Sequence, residues 1–410
     1  EEADYDLSVY RRGFRGLGAT YRIFSVDGGD VKNGALKVRD TGIYSDFRAN
    51  FDGAGATVKA EMVNDYAKEL HTIALFNDLV CAQKRDDDYS IKNLIVTGTF
   101  HSSDYTDNDN INYGVDRAAA VVGMMRCPWK MEKITVFDAD ISSKGHAAGI
   151  VAWIAPGLRE KPDYHFSECQ VLALSKDTLI HTKGGSCGGI VGIMGLLKDE
   201  TSAFQLKMDK CKITGNASGK QVKLKNEGET KDIADSTDPK NENQERAGRG
   251  RSGAMVGHVG KRRDGSNSIR IEMNVIINGS GTSPDIQYVT IDGAESTGGV
   301  LGEYYGCRRN GSSQNVVINN ITVSDSVLES KNMNSTSYGG FGVGGIIGKL
   351  QREAKCDMTA VKVENTNIRS SYGTETVDAA TTAGQNRIPD GDVNAGGMIG
   401  YCYRNSQIVI

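Results

Sequence analysis

Proline is the scarcest of the backbone-shaping residues in this chain. The 410 residues include only 6 prolines, whereas glycine occurs 50 times. Collagen-like proteins and Pro/Gly-rich linkers are rich in both residues, so the low proline content excludes these classes. Proline also lacks the N–H group that a strand donates to its neighbour. The composition therefore suits a sheet protein whose strands are paired on both sides, with glycine needed at many ordered positions.

Patterns typical of membrane, zinc and nucleic-acid proteins are missing as well. No apolar run approaches the roughly 18 residues that a membrane-spanning helix needs. The 8 cysteines form no C-x-x-C pair, which argues against a compact zinc site. The net charge of −4 gives no reason to expect nucleic acid or an anionic membrane as a partner. We therefore predict no nucleic-acid binding and no membrane insertion by this segment.

Helical periodicity is nearly absent, and the one helical candidate is the short stretch 63–70. The chain begins at Glu1 and stops within the apolar run 408–410, so we expect a segment of a longer or processed protein. The lack of a secretory leader then says nothing about localisation.

A short glycine-rich motif recurs seven times, with the pattern small, small, apolar, apolar, small. The copies are Ala120–Gly123, which lacks one small residue, Ala148–Ala152, Gly188–Gly192, Gly253–Gly257, Gly298–Gly302, Gly344–Gly348 and Gly396–Gly400. We interpret each copy as a short strand flanked by glycines. Fixed repeats of this kind are typical of stacked architectures.

A second motif alternates apolar and polar residues, which is the period of a half-buried strand. It aligns without gaps over residues 134–141, 321–328 and 361–368. Asp138, Asp325 and Asn365 occupy the same place in the three copies. Because Asn and Asp tolerate the left-handed backbone conformation, we predict that each strand bends there.

The two motifs together predict an all-β fold, a parallel β-helix in which like positions of successive coils lie about 4.8 Å apart. A multi-domain β-sandwich with glycine-rich turns stays open as the alternative. In a β-helix, the motif glycines allow neighbouring backbones to pack closely. We therefore expect valine at four motif positions to damage folding far more than valine at Gly219 or Gly228; the four are Gly189, Gly299, Gly345 and Gly397.

The motif order resembles the GLUG repeat of large bacterial surface and secreted proteins. Residues 47–58 resemble the segment that precedes such repeats, residues 73–77 resemble the following GLFG element, and residues 91–98 resemble the first full strand. Ala49, Ala74 and Asn77 depart from the glycines of that pattern. The resemblance covers about residues 40–410 and implies a right-handed parallel β-helix in an adhesin or on a cell surface. It implies no catalytic constellation.

We divide the chain into an N-terminal lead-in and capping region, 1–70, and a parallel β-helix, 71–410. Residues 216–250 are rich in Lys, Glu, Asp and Asn, and we predict a charged excursion from one coil there. Smaller excursions are expected at 330–340 and 371–392. Insertions in solenoids collect on one face, which is often the binding face, but a plain solvated excursion is the other interpretation.

Several clusters suggest chemistry, yet none matches a complete catalytic, cofactor or metal motif. The acidic stretches 86–88 and 107–110 offer oxygen ligands for calcium but lack the spacing of a calcium loop. The basic stretches 261–263, near His258, and 308–309 are where enzyme activity would be sought, because β-helix polysaccharide lyases use Arg or Lys as a base. Trp129 and Trp153 could stack on sugar or pack between coils.

The remaining candidates favour packing over chemistry. The six histidines show no metal spacing, so we expect them in loops or in satisfied packing; they are His71, His101, His146, His165, His181 and His258. Cys169 and Cys211 each stand two residues before a strand-like valine or isoleucine, which predicts buried, stacked thiols. One or more disulfides remain an alternative.

The sequence thus predicts a non-enzymatic, extracellular or cell-surface segment that acts as a stalk or display scaffold. Glycans and host or neighbouring cells are the candidate partners, and end-to-end self-association is a further possibility. We predict no catalytic, cofactor-binding or metal-binding residues. A β-helical carbohydrate-active enzyme and a filament subunit are the alternatives.

Overall fold

The structure is a computed structural model. It describes residues 5–6, 24–25, 39–40, 50–63, 72–79, 89–102, 117–155, 163–195, 204–228, 250–260, 273–306, 314–332, 341–351, 354–372, 393–403 and 406–410. All secondary structure in these ranges is β, in 40 strands numbered in chain order. The described residues therefore contain no helix that could span a membrane. The helical candidate at 64–70 lies outside them, and Val63 ends a strand.

Three parallel sheets contain all but two of these strands. Sheet 1 has 22 strands. They are β1 (Tyr5–Asp6), β4 (Phe51–Asp52), β5 (Thr57–Val63), β8 (Tyr89–His101), β11 (Trp129–Phe137), β12 (Asp140–Ser143), β15 (Asp163–Ser167), β16 (Gln170–Leu172), β17 (Thr178–Thr182), β20 (Phe204–Asp209), β21 (Lys212–Thr214), β22 (Val222–Asn226), β25 (Met273–Asn278), β26 (Ile286–Gln287), β27 (Val289–Gly293), β30 (Gln314–Asn319), β31 (Thr322–Ser324), β32 (Val327–Asn332), β35 (Lys355–Thr359), β36 (Lys362–Glu364), β37 (Asn367–Tyr372) and β40 (Gln407–Val409).

Sheets 2 and 3 have 8 strands each. Sheet 2 contains β6 (Thr72–Ile73), β9 (Arg117–Ala119), β13 (His146–Ala148), β18 (Ser186–Gly188), β23 (Arg251–Gly253), β28 (Ser296–Gly298), β33 (Phe341–Gly344) and β38 (Val393–Gly396). Sheet 3 contains β7 (Phe76–Leu79), β10 (Val122–Met125), β14 (Val151–Ile154), β19 (Val191–Met194), β24 (Val256–Gly260), β29 (Leu301–Tyr305), β34 (Ile347–Gln351) and β39 (Ile399–Tyr403). Strands β2 (Phe24–Ser25) and β3 (Arg39–Asp40) form a separate antiparallel pair.

The chain runs through sheets 1, 2 and 3 in turn, and each round through the three sheets forms one coil. Within the three sheets, equivalent strands of consecutive coils pair in parallel; for example, Ile277 pairs with Ile318, and Ile318 with Met358. The sandwich alternative would instead join neighbouring strands as antiparallel hairpins. The predicted parallel β-helix is therefore confirmed, while its right-handed sense stays a prediction.

The glycine motif is a corner rather than a strand, which corrects our interpretation. In the copy Gly188–Gly192, β18 ends at Gly188 and β19 begins at Val191, so Gly189 and Ile190 form the turn between sheets 2 and 3. A Cβ at Gly257 would lie 2.5 Å from the carbonyl oxygen of Gly192 in the preceding coil. The glycines thus allow backbone-to-backbone packing at this corner, as expected.

Left-handed residues mark two further corners within sheet 1. Asp138, Asp325 and Asn365 have φ values of 49°, 48° and 48°, which confirms the predicted bends. Their side chains also bond between coils, since the Asn365 amide donates to Asp325 Oδ1 at 3.3 Å. A second left-handed column, with φ between 52° and 54°, carries mixed residue types and was not predicted; it consists of Asn93, Lys133, Glu168, Lys210, Asn320 and Ala360.

The core lies inside the coil and is filled by the alternate residues of all three sheets. Cys169 and Cys211 are both buried in it as free thiols, which confirms the prediction for this pair. Cys127 is disulfide-bonded, so the alternative also holds at one cysteine. Cys81 and Cys307 lie outside the described residues.

The corner between sheets 2 and 3 keeps a constant length, whereas other connections vary in length between coils. The seven turns between sheets 2 and 3 that carry the glycine motif each take two residues. By contrast, the connection from sheet 1 to sheet 2 takes residues 294–295 in one coil and 227–250 in another. The predicted excursion 216–250 therefore starts too early, because β22 is a rung that pairs with β17 and β27. Residues 229–249 lie outside the described ranges.

Candidate functional site

Sheets 2 and 3 face each other on the side that points away from the core. In sheet 2, Ala147 and Cys187 belong to the core cluster, so the alternate residues His146 and Ser186 point outward. In sheet 3, Ile193 belongs to a second apolar cluster, separate from the core. We call the space between these outward faces the 2/3 interface. It is closed at one end by the glycine corner.

Two columns of side chains line the 2/3 interface, one from each sheet. Each column is set by strand register, which places equivalent residues of successive coils one above another. The sheet 2 column consists of Thr72, Arg117, His146, Ser186, Arg251 and Ser296, and the backbone of Gly342 continues its register. The sheet 3 column consists of Asp78, Met124, Trp153, Ile193, His258, Glu303, Lys349 and Tyr401.

The early coils fill the interface with an aromatic and cationic cluster. The Arg117 guanidinium lies 4.5 Å from the centroid of the Trp153 ring, and its Nη1 lies 2.9 Å from Met124 Sδ. The His146 ring meets Trp153 edge-on, with 5.6 Å between ring centroids. The Trp153 indole N–H donates to the carbonyl of Gly195 at 3.2 Å. This half is a satisfied packing cluster with a cation–π contact.

The later coils fill the interface with charged residues grouped around one carboxylate. Arg251 and Gln351 both contact the Glu303 carboxylate directly. His258 Nδ1 lies 3.4 Å from Glu303 Oε2, and Lys349 Nζ lies 3.9 Å from Glu303 Oε1. The Glu303 side chain is only 3% exposed. We call these five residues the Glu303 cluster.

The Glu303 cluster holds its carboxylate in the charged form. Burial by itself would raise the pKa of Glu303, but the charges of Arg251 and Lys349 and the contact with His258 hold that pKa well below its usual range. An ionised carboxylate with this many donors is a poor proton acceptor. Removing one partner would strand a buried charge, which costs far more than a surface pair contributes.

The remaining histidines also have partners. Three of them lie on the outward face of sheet 1, and each pairs with a carboxylate of the following coil. These pairs are His101–Asp140 at 3.3 Å, His165–Asp209 at 2.8 Å and His181–Glu227 at 3.0 Å. The five described histidines thus all pack against partner groups, and His71 lies outside the described residues.

The two tryptophans pack between coils, as one of our alternatives expected. Trp129 is fully buried and stacks on Tyr89 of the preceding coil, with 4.9 Å between ring centroids. Trp153 is 9% exposed within the 2/3 interface. Neither ring has the open face that stacking on sugar requires.

The other chemical candidates are not brought into this site by the described residues. The acidic stretches 86–88 and 107–110 and the basic stretches 261–263 and 308–309 all lie outside the described ranges. Within those ranges, no three His, Cys, Asp or Glu side chains are grouped so that they could hold a metal ion.

Our sequence reasoning missed Arg251, Glu303, Lys349 and Gln351. A signal for two of them was present, because the residue after the last small residue of each motif copy forms the sheet 3 column. Read in this way, the last four copies give His258, Glu303, Lys349 and Tyr401. Comparisons with protein families, curated proteins and solved structures found no match to this chain.

Proposed function

We propose that this chain is a structural segment of a large bacterial cell-surface or secreted protein, a stiff β-helical stalk that displays loops. The observation that supports this most directly is the pairing of each described coil with the next through all three sheets. A solenoid of this kind transmits load through backbone hydrogen bonds between coils.

Side chains on the outward face of sheet 1 add further links between coils. The Asn278 amide donates to Asp209 Oδ1 at 2.8 Å, and the Asn319 amide donates to Asn278 Oδ1 at 3.0 Å. An ion pair between Lys331 Nζ and Asp292 Oδ2, 2.8 Å apart, joins two coils in the same way. Charges on this face thus bind neighbouring coils together, which suits a stiff element better than a ligand groove.

The display role rests on where the chain varies in length. The connections that enter sheet 2 vary widely in length, from residues 294–295 to 227–250, while the turns between sheets 2 and 3 keep two residues. Such connections are where solenoid proteins usually carry recognition. The resemblance to GLUG repeats of surface proteins supports the same role, with glycans or neighbouring cells as partners.

A carbohydrate-active enzyme is the second candidate, and one observation favours it. An enzyme should gather acidic and basic side chains from three or more neighbouring coils. The Glu303 cluster does so, because Arg251 and His258, Glu303, and Lys349 belong to three successive coils. The burial of Glu303 and Lys349, at 2% and 5% exposure, supports a structural role instead.

Incubation with plant, host and microbial polysaccharides distinguishes the two functions. We expect no shortened or unsaturated products from either the wild type or the Lys349→Met variant. Methionine has a side chain of similar length to lysine but carries no charge. Products that the wild type forms and Lys349→Met does not would overturn the stalk proposal. A glycan array tests display by loops. It compares the glycan binding of two variants, one with residues 229–249 replaced by a short turn and one with residues 333–340 replaced in the same way.

A further inference from the structure

Cys169 and Cys211 occupy the same position in consecutive coils. Gln170 pairs with Lys212 in the parallel ladder, and the Lys212 N–H donates to the carbonyl of Cys169 at 2.9 Å. The two cysteines are thus one register step apart along the coil axis. Adjacent strands lie about 4.8 Å apart, which falls within the roughly 4.4–6.8 Å that a disulfide allows between Cα atoms.

The two side chains also lie at stacked positions inside the core. Both residues are buried, at 0% and 1% exposure, and the Cys211 thiol reaches back to the coil of Cys169, where it donates to the carbonyl of Phe166 at 3.7 Å. The Cys169 thiol additionally donates to the carbonyl of Met131 at 3.3 Å. Ordinary packing of small apolar groups does not require thiols at two stacked positions.

We propose that Cys169 and Cys211 form a disulfide that staples these two coils when the chain folds in an oxidising environment. This goes beyond the stalk role, which stands whether or not the bond forms. The reduced pair described above is the other state of the same site. The bond would join residues 42 positions apart (211 − 169) and so restrict the unfolded chain.

The chemistry needs an external disulfide, such as oxidised glutathione, as the electron acceptor. The thiolate of one cysteine attacks this disulfide, and a mixed disulfide forms as one thiol molecule leaves. The thiolate of the second cysteine then attacks the protein sulfur of the mixed disulfide and releases the second thiol molecule. Two thiol protons and two electrons leave the protein, and the small disulfide is reduced to two thiols.

The reaction takes place while the coils are closing. In the folded chain, the neighbouring Cys169 thiol and burial raise the pKa of Cys211 well above its usual value. Thiolate is therefore scarce, and a small disulfide has no access to the buried sulfurs. Oxidant added after folding should be far less effective than oxidant present during folding.

The test is refolding of the reduced, denatured protein with a mixture of oxidised and reduced glutathione. Free thiols are then alkylated in denaturant, and the protein is digested with trypsin. We expect a peptide covering 160–176, which contains Cys169, linked to the dipeptide Cys211-Lys212. In a protein refolded with a reductant, both cysteines should carry the alkyl label.

Thermal unfolding separates this bond from the disulfide at Cys127. Refolding with glutathione should raise the unfolding midpoint of the wild type by more than that of Cys211→Ala. Cys187→Ala is the matched control, because Cys187 is equally buried and free and its thiol donates to the carbonyl of Ile180. This control should behave as the wild type does.

Full alkylation of both cysteines in wild-type protein that has refolded with glutathione to its native circular dichroism spectrum would overturn the proposal. Linkage of either cysteine to a different one would overturn it as well. Neither outcome depends on whether a variant folds.

Discussion

Replacing Gly299 by alanine tests the contact that closes the coil at the corner between sheets 2 and 3. A Cβ on Gly299 would overlap the carbonyl oxygen of Gly345 and lie 3.0 Å from its carbonyl carbon. It would also lie 3.3 Å from Val323 Cγ1. The Gly299 N–H donates to the carbonyl of Gly344 at 3.1 Å, so the two coils cannot separate without weakening that bond.

The expected loss follows from these contacts. Overpacking costs about 1–3 kcal/mol, and a weakened backbone hydrogen bond adds about 1 kcal/mol. The lower entropy of the unfolded alanine chain returns about 0.4–1 kcal/mol. Gly299→Ala should therefore destabilise the fold by about 2 kcal/mol, within a range of about 1–3.5 kcal/mol.

Gly397 supplies the control, because it occupies the same motif position. Among the described residues, no heavy atom lies within 4 Å of a Cβ built there. Neither glycine has a positive φ, so alanine fits both backbones. Gly397→Ala should leave stability unchanged or raise it by up to about 1 kcal/mol.

Urea unfolding followed by far-UV circular dichroism compares the two variants. A loss for Gly299→Ala and none for Gly397→Ala is the result expected if contact between coils selects glycine. Equal effects within about 1 kcal/mol would refute the reasoning, because the motif would then demand glycine for its backbone shape alone.

Three further predictions concern single side chains. Glu303→Gln should destabilise the fold by about 3–5 kcal/mol in urea unfolding, because it leaves buried cations without a counter-charge. Asp357→Asn is the control: Asp357 is in an exposed pair with a lysine, so stability should change by less than about 1 kcal/mol. Equal losses in the two variants would contradict a buried network. The pKa of Asp138 is lowered, because hydrogen bonds from the turn 174–176 outweigh the burial of the carboxylate. The charged Asp138 therefore stabilises the fold above the unfolded pKa of about 4, and this stabilisation is lost as pH falls through the folded pKa. Asp138→Asn should flatten the loss of thermal stability on acidification, and an unchanged pH profile would disprove this role. Ala360, at φ 53°, should gain about 0.5–1 kcal/mol on replacement by glycine, measured by urea unfolding, and a loss would show that the strain is absent.

The sequence predicted the features that depend on one residue type. The bend at Asp325 was predicted because few residues other than Asn, Asp and Gly adopt the left-handed conformation readily. The second left-handed column, which contains Lys133 and Ala360, was missed. Stacking of the coils enforces the same φ there on residues that do not favour it. The glycine motif was found, yet its place in a corner was not, since two apolar residues satisfy a strand or a turn equally well.

The glycine predictions show what a single repeat copy cannot reveal. Gly189, Gly299 and Gly345 do pack against the next coil, as expected, whereas Gly397 has open space. Gly228, which we expected to be tolerant, has a φ of 61° and would clash with Ala294. Gly219 is open, although its φ of 88° disfavours any side chain. Neighbours in the next coil decide these outcomes.

The Glu303 cluster was missed for a related reason. Glu303 and Lys349 stand 46 residues apart (349 − 303) and carry no local motif. Only the register between coils brings them together. Aligning the repeats predicts the column, but which members meet across the 2/3 interface depends on the corner geometry.

Backbone nuclear magnetic resonance on deuterated protein tests the central claim, the parallel stacking of coils, most directly. We predict amide-to-amide contacts between Ile277 and Ile318 and between Ile318 and Met358, which are register partners in consecutive coils. Parallel partners about 40 residues apart should recur along sheet 1. Contacts that instead join strands adjacent in sequence as antiparallel hairpins would contradict the β-helix and the stalk built on it.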